Sequence, residues 1–146
     1  MIDQEYEDVS IKIINKFIYS TVELKKILIN ENPSFFINCA DQPKEKILEL
    51  TSRCSRETKI PYITAAVGIE SGWWGPIIDK YNNKNYSFPK SKTESNNLKI
   101  EGSSSTTNLI IGAVLSNDVM NYFLRKNNNL YIGKEISFLN YEIKRR

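Results

Sequence analysis

A chain of 146 residues with a formal net charge of +3 is long enough to bury a core without metal or disulfide staples, and it reads as one domain spanning 1–146. It contains no histidine, which excludes histidine-based catalytic triads and histidine metal sites and leaves chemistry to carboxylates, hydroxyls, amides or aromatics. Basic residues are interspersed with acidic ones except at Lys144, Arg145 and Arg146, which argues against a nucleic-acid partner; no window reaches the roughly 18 apolar residues of a membrane span, so no membrane insertion is expected.

From the start, Met1 to Glu7 is acidic and lacks the basic, then apolar, pattern of a secretory leader, so the chain is expected to be made in the cytoplasm without a signal peptide. Ile11, Ile14, Ile18, Val22, Leu24, Ile27 and Leu28 recur at roughly helical spacing and predict one long or bent amphipathic helix from about Glu5 to Ile29, which Pro33 helps to end. A second helix is predicted from a cap at Asp41 past Ile47 and Leu48 to Cys54. Cys39 and Cys54 are open to two readings, a disulfide in an oxidising compartment or two buried thiols. A third helix is predicted to begin at Pro61, whose missing N–H is not needed in a first turn, and to stop at Gly72.

Short polar segments with Pro89, Asn96, Asn97 and Gly102 predict loops around a small β-hairpin over 86–102. Leu109, Ile110, Ala113, Val114, Met120, Tyr122 and Phe123 restore helical character, with a break allowed near Ser116 and Asn117. The tail from Gly133 through Tyr141 is predicted as a last short helix. The expected fold class is mainly α. No acidic or thiolate cluster has metal-ligand spacing, so neither a metal nor a cofactor is called for.

The stretch "IPYITAAVGIESGWWGPIIDKYNNKNYSF" carries the chemistry. On a helix from Pro61, Ile63, Ala66, Val67 and Glu70 share one face, which turns Glu70 towards the buried side in the last turn. Apolar surroundings and the negative end of the helix dipole would each raise its pKa, as a general acid requires. Trp73 and Trp74 offer flat faces for stacking on sugar rings, one in a groove while the other packs inside; Asn82, Asn83 and Asn85 offer paired amide donors and acceptors.

Through Ala65, Ala66, Glu70, Ser71, Gly72, Trp73, Gly75, Asn82, Asn83 and Phe88, "AAVGIESGWWG" followed by "YNNKNYSF" resembles the peptidoglycan N-acetylglucosaminidases of the flagellar and autolysin type, glycoside hydrolase family 73 in the lysozyme-like superfamily. The resemblance implies a lysozyme-like α+β fold and a hydrolase cutting peptidoglycan glycan strands. It implies Glu70 as the acid protonating the glycosidic oxygen, a second carboxylate at Glu94 or Glu101, with Glu94 preferred, and a hydroxyl from Tyr131. Trp73, Trp74, Asn82, Asn83, Asn85 and Phe88 would bind the glycan.

Such an enzyme would act at the bacterial cell wall after export or release by a non-classical route, as an antibacterial toxin with a delivery or immunity protein as partner. Lytic transglycosylase chemistry is the alternative within the same class, and a non-catalytic wall-binding or immunity-type protein the alternative outside it.

Overall fold

The computed structural model describes residues 9–41, 46–82, 102–126 and 128–145. Residues 9–19 run without regular structure into α1 (Thr21–Glu31). Ser20 caps this helix: its Oγ accepts from the Glu23 N–H at 3.3 Å, while Glu23 accepts from the N–H of Ser20 at 3.1 Å and of Tyr19 at 2.9 Å. The Tyr19 N–H is the chief reason the Glu23 carboxyl sits below its ordinary range. The predicted first helix is thus only its second half, because the capping box fixes the start at Ser20 and Asn32 in the left-handed region (φ 44°) fixes the end.

β1 (Phe36–Asn38) leads through the stretch around residue 41 to α2 (Ile47–Thr58), which ends at Lys59 (φ 60°) and returns the chain to β2 (Tyr62–Val67). β1 and β2 are parallel, with Phe36 opposite Tyr62 and Asn38 opposite Thr64. This is a βαβ unit, since parallel neighbours need a crossover and α2 supplies it. Side chains alternate along β2. Tyr62 stacks on Phe36 at 5.0 Å between ring centroids, while Ile63 joins the main core with Trp74, Ile77, Ile111, Leu115, Leu130 and Ile136.

β3 (Ser71–Trp74) folds back antiparallel on β2; β4 (Lys134–Ser137) and β5 (Ile143–Arg145) continue the sheet in the order β1-β2-β3-β4-β5. α3 (Ser105–Phe123), capped by Ser104 and Thr107, lies against β2 and β3, and a 3-10 turn (Asn128–Tyr131) precedes β4.

The mainly α class is therefore wrong. The chain is a mixed α/β structure around a five-stranded, mostly antiparallel sheet. The predicted third helix is a β-hairpin, because a short apolar run such as Ile63, Ala66, Val67 fits one face of a helix and a buried strand equally well, and β-branched Ile63, Thr64 and Val67 favour the strand. Pro61 enters a strand rather than a helix; its carbonyl accepts from the Phe36 N–H at 3.0 Å. α3 runs without a break at Ser116, and the predicted last helix is β4 and the turn that follows it.

Gly72, expected to stop a helix, lets α3 approach the sheet. A Cβ built there would lie 2.6 Å from Ile111 Cδ1 and Cγ1 and 3.2 Å from Phe138 Cζ. Gly72→Ala is expected to cost about 1–3 kcal/mol by overpacking, and Gly72→Ala combined with Ile111→Val to recover part of that loss in urea titrations. Equal stability of Gly72→Ala and wild type would show that α3 is free to move away.

Candidate functional site

Because β1 and β2 run parallel, their carboxyl ends open on the same side. A cavity of about 710 Å³ lies there, lined by Cys39, Ala40 and Asp41 beyond β1, Ala65, Ala66 and Val67 of β2, Trp73, and the Asn108, Ile111, Gly112, Leu115 and Ser116 side of α3. Crevices at the carboxyl ends of parallel strands are where open α/β sheets bind ligands, and this volume is that of a small-molecule pocket.

The rim is held by a buried polar pair. Asn38 Nδ2 donates to Thr64 Oγ1 at 3.0 Å across the parallel strands, and Asn38 Oδ1 accepts from the Ala40 N–H at 3.2 Å. Asn38 thereby sets the turn that presents Cys39 and Asp41. Both cysteines are free thiols, Cys39 exposed and Cys54 buried; burial, then the Glu57 carboxylate, pushes Cys54 up to about 11 and keeps it unreactive at neutral pH.

A second cluster forms around Asp79, which is buried. Its Oδ1 accepts from the N–H groups of Tyr81 at 2.8 Å and Asn82 at 2.9 Å, and its Oδ2 accepts from the Tyr131 hydroxyl at 3.1 Å. Tyr122 faces the same carboxylate. Burial first and Asp79 second push the Tyr122 hydroxyl up to about 12, and the same two causes raise Tyr131.

Two residues singled out from the sequence, Asn82 and Tyr131, thus meet at Asp79: Asn82 closes the turn, its Nδ2 donating to the Ile77 carbonyl at 3.0 Å, and the Tyr131 hydroxyl ties the turn to the later chain. Asp79 itself was overlooked, although an aspartate opening "DKYNN" is an Asx-turn signal.

Glu70 is not where a general acid should be. It is exposed in the turn between β2 and β3, with its carbonyl accepting from the Phe138 N–H at 2.7 Å; neither the apolar helix face nor the helix end that was to hold its proton exists. Trp73 and Trp74 occupy consecutive strand positions and so face opposite sides of the sheet. Trp73 is half-buried and lines the cavity; Trp74 is buried and its indole N–H donates to Asp118 Oδ2 at 2.9 Å. Lys134, opposite Trp74 in the β3–β4 register, pairs with the same carboxylate and lies 5.7 Å from the Trp74 ring centroid. Asn83, Asn85, Phe88, Glu94 and Glu101 lie outside the described residues. Among the described residues no three metal-ligating side chains converge, and no helix is long and apolar enough to cross a membrane.

No family model matches the sequence, and no curated protein matches it. The fold does have solved relatives. E. coli MccB with MccA-N7isoASN superposes with a TM-score of 0.77 at 15% identity, over 99% of this chain and 46% of that one. E. coli MccB with ATP gives a TM-score of 0.74 at 14% identity, over 99% of this chain and 44% of that one. PaaA gives a TM-score of 0.73 at 14% identity, over 99% and 44%.

The fold is thus one shared with MccB and PaaA, and this chain spans less than half the length of either. That overturns the assignment to glycoside hydrolase family 73. The Glu-Ser-Gly-Trp motif sits on a β-hairpin instead of the helix that the family requires, and with it fall peptidoglycan as the partner, the glycosidase and transglycosylase activities, and the wall-binding alternative.

Proposed function

We propose that this chain forms one wall of an ATP- and peptide-binding cleft and serves ATP-dependent modification of a peptide; the solved relatives include E. coli MccB with ATP and the microcin C7 biosynthetic enzyme MccB in complex with N-formylated MccA. The observation that carries the reading is the cavity at the carboxyl ends of β1 and β2, with the Asp41 carboxylate on its rim.

The residues present suit part of such a ligand. A single carboxylate is enough for a Mg²⁺ ion whose other ligands are phosphate oxygens and water, so Asp41 would take the metal side of a bound nucleotide. Apolar Ile37, Ala65 and Val67 with Trp73 would take a base or a peptide side chain, and Asn108 and Ser116 offer an amide and a hydroxyl for polar groups. The six glycines of the chain form no G-x-G-x-x-G run.

Calorimetric titration with Mg²⁺-ATP tests the reading. Binding is expected to weaken about tenfold or more in Asp41→Asn, because one charge-assisted interaction with the metal is lost, and binding of ATP without Mg²⁺ is expected to change little. Equal affinity of wild type and Asp41→Asn for Mg²⁺-ATP would remove Asp41 from the site; no nucleotide binding by the protein in its native assembly would end the proposal.

A further inference from the structure

Three cations meet where α2 ends beside the start of β2. Arg56 and Lys59 come from the end of the helix and Lys80 from the turn that Asp79 closes; with Ser55, Ile78 and Asp79 they line a cavity of about 190 Å³. Two bonds hold these segments together, the Tyr62 N–H donating to the Ile78 carbonyl and the Ile78 N–H to the Tyr62 carbonyl, both at 2.9 Å. This cavity shares no lining residue with the one of about 710 Å³.

The negative charge nearby is already committed. Asp79 uses both oxygens on Tyr81, Asn82 and Tyr131, and Glu57, next to Arg56 in the chain, pairs with Lys25 at 3.1 Å and Arg53 at 2.9 Å. Neither Lys59 nor Lys80 forms a salt bridge among the described residues; the Lys80 ammonium lies 4.8 Å from the Tyr81 ring centroid. The end of a helix would ordinarily repel an anion through its free carbonyls, but here they are occupied. Cys54 O accepts from the Thr58 hydroxyl at 2.9 Å and Ser55 O from the Lys59 N–H at 2.7 Å, while the Ser55 hydroxyl donates to the Ile60 carbonyl at 2.7 Å.

Two further observations indicate a ligand. Lys59 stands at φ 60°, a left-handed position where glycine is unstrained, and yet carries a long cationic side chain into the cavity wall. The hydroxyl of Tyr62 is fully buried and finds no partner of good hydrogen-bond geometry among the described residues. Arg56, whose Nη1 donates to Ser52 Oγ at 3.1 Å, is near enough for its charge to act on that hydroxyl. A buried donor left over beside a cation marks a place short of an acceptor.

We infer that this cavity binds a phosphate group, held by the Arg56 guanidinium and the ammonium groups of Lys59 and Lys80. A guanidinium matches two oxygens of such a group with two N–H bonds, and lysines add point charges from other directions. Concave walls of one sign of charge also concentrate the anion locally. The volume is that of about six water molecules at roughly 30 Å³ each, enough for a phosphate and too small for a nucleoside as well.

Calorimetric titration of the protein in its native assembly with inorganic phosphate, at constant ionic strength, tests this. Affinity is expected to fall about tenfold in Lys59→Gly and about tenfold in Lys80→Gln, each by loss of one charge-assisted contact. Lys59→Gly suits the left-handed position, so its melting temperature should equal or exceed that of wild type, which separates lost charge from lost fold. Lys144→Gln removes the same charge from β5, at the far edge of the sheet, and should bind phosphate as wild type does. A parallel titration with glycerol phosphate distinguishes the sources: equal affinity supports a phosphate carried by a larger ligand, and weaker affinity supports free phosphate. Absence of binding by wild type, undiminished binding by Lys59→Gly combined with Lys80→Gln, an equal loss in Lys144→Gln, or equal binding of acetate would each overturn the inference.

Discussion

Replacing Asp118 by alanine is expected to destabilise the fold by about 3–5 kcal/mol, the usual consequence of breaking a buried ion pair by removing one partner. The carboxylate accepts from the Trp74 indole at 2.9 Å and pairs with Lys134, whose side chain is only 14% exposed. Without it the Lys134 ammonium and the indole N–H lose their shared acceptor in the centre of the sheet. Asp118→Asn should be less damaging, since an amide oxygen still accepts from Trp74 but offers no charge to Lys134. The double change Asp118→Leu with Lys134→Met should be far milder than Asp118→Ala, because it removes both charges and not one. Chemical denaturation of the four proteins decides the matter: a double variant as unstable as Asp118→Ala would mean that the pair itself, and not the stranded charge, stabilises the sheet.

Asp79→Ala is expected to cost about 3 kcal/mol, because a buried charged acceptor is lost and three donors are left over: the N–H groups of Tyr81 and Asn82 and the Tyr131 hydroxyl. Asp79→Asn keeps an acceptor for the turn and should lose less at neutral pH. The two variants are separated further at alkaline pH. Burial and the Asp79 charge hold Tyr122 up to about 12, whereas in the unfolded chain a tyrosine ionises near 10. Between those values the folded protein keeps a proton that the unfolded chain releases, so stability is intact below about pH 10 and falls as pH rises towards 12. Removing the carboxylate in Asp79→Asn leaves burial as the main cause and should make that fall shallower. Melts across this range test it, and an unchanged alkaline slope in Asp79→Asn would show that the carboxylate does not act on the tyrosines.

Some of this structure was legible in the sequence. The apolar spacing of Leu109, Ile110, Ala113 and Val114 does form a helix, and Ile47 to Cys54 does too, because both rest on local periodicity that runs for several turns. β2 was not, since its partner Phe36–Asn38 lies 26 residues earlier at the Asn38–Thr64 bond, and nothing within a local window distinguishes that pairing from a helical face.

The same locality explains the site. Asp41 was visible only as a helix cap; its place on a cavity rim depends on β1 and β2 ending side by side. Glu70 gained its supposed role from a helix that tertiary pairing replaced with a hairpin. The alternation of Trp73 and Trp74 between surface and core follows from strand geometry, where the sequence argument had relied on helical rotation.

The Trp74–Asp118–Lys134 contact also orders events during synthesis. Gly72 pairs with Ile136 and Trp74 with Lys134, so the β3–β4 ladder closes a loop of some 60 residues, whereas β2 and β3 meet across a tight turn. As a chain is made from its N-terminus, Asp118 leaves the ribosome before its cation does, and Trp74 waits longer still. The hairpin and α3 can therefore come together while their shared carboxylate is still hydrated, and dehydration of that group is postponed until the strand bearing Lys134 has docked. The last long-range pairing to form is the one that seals the interior from water.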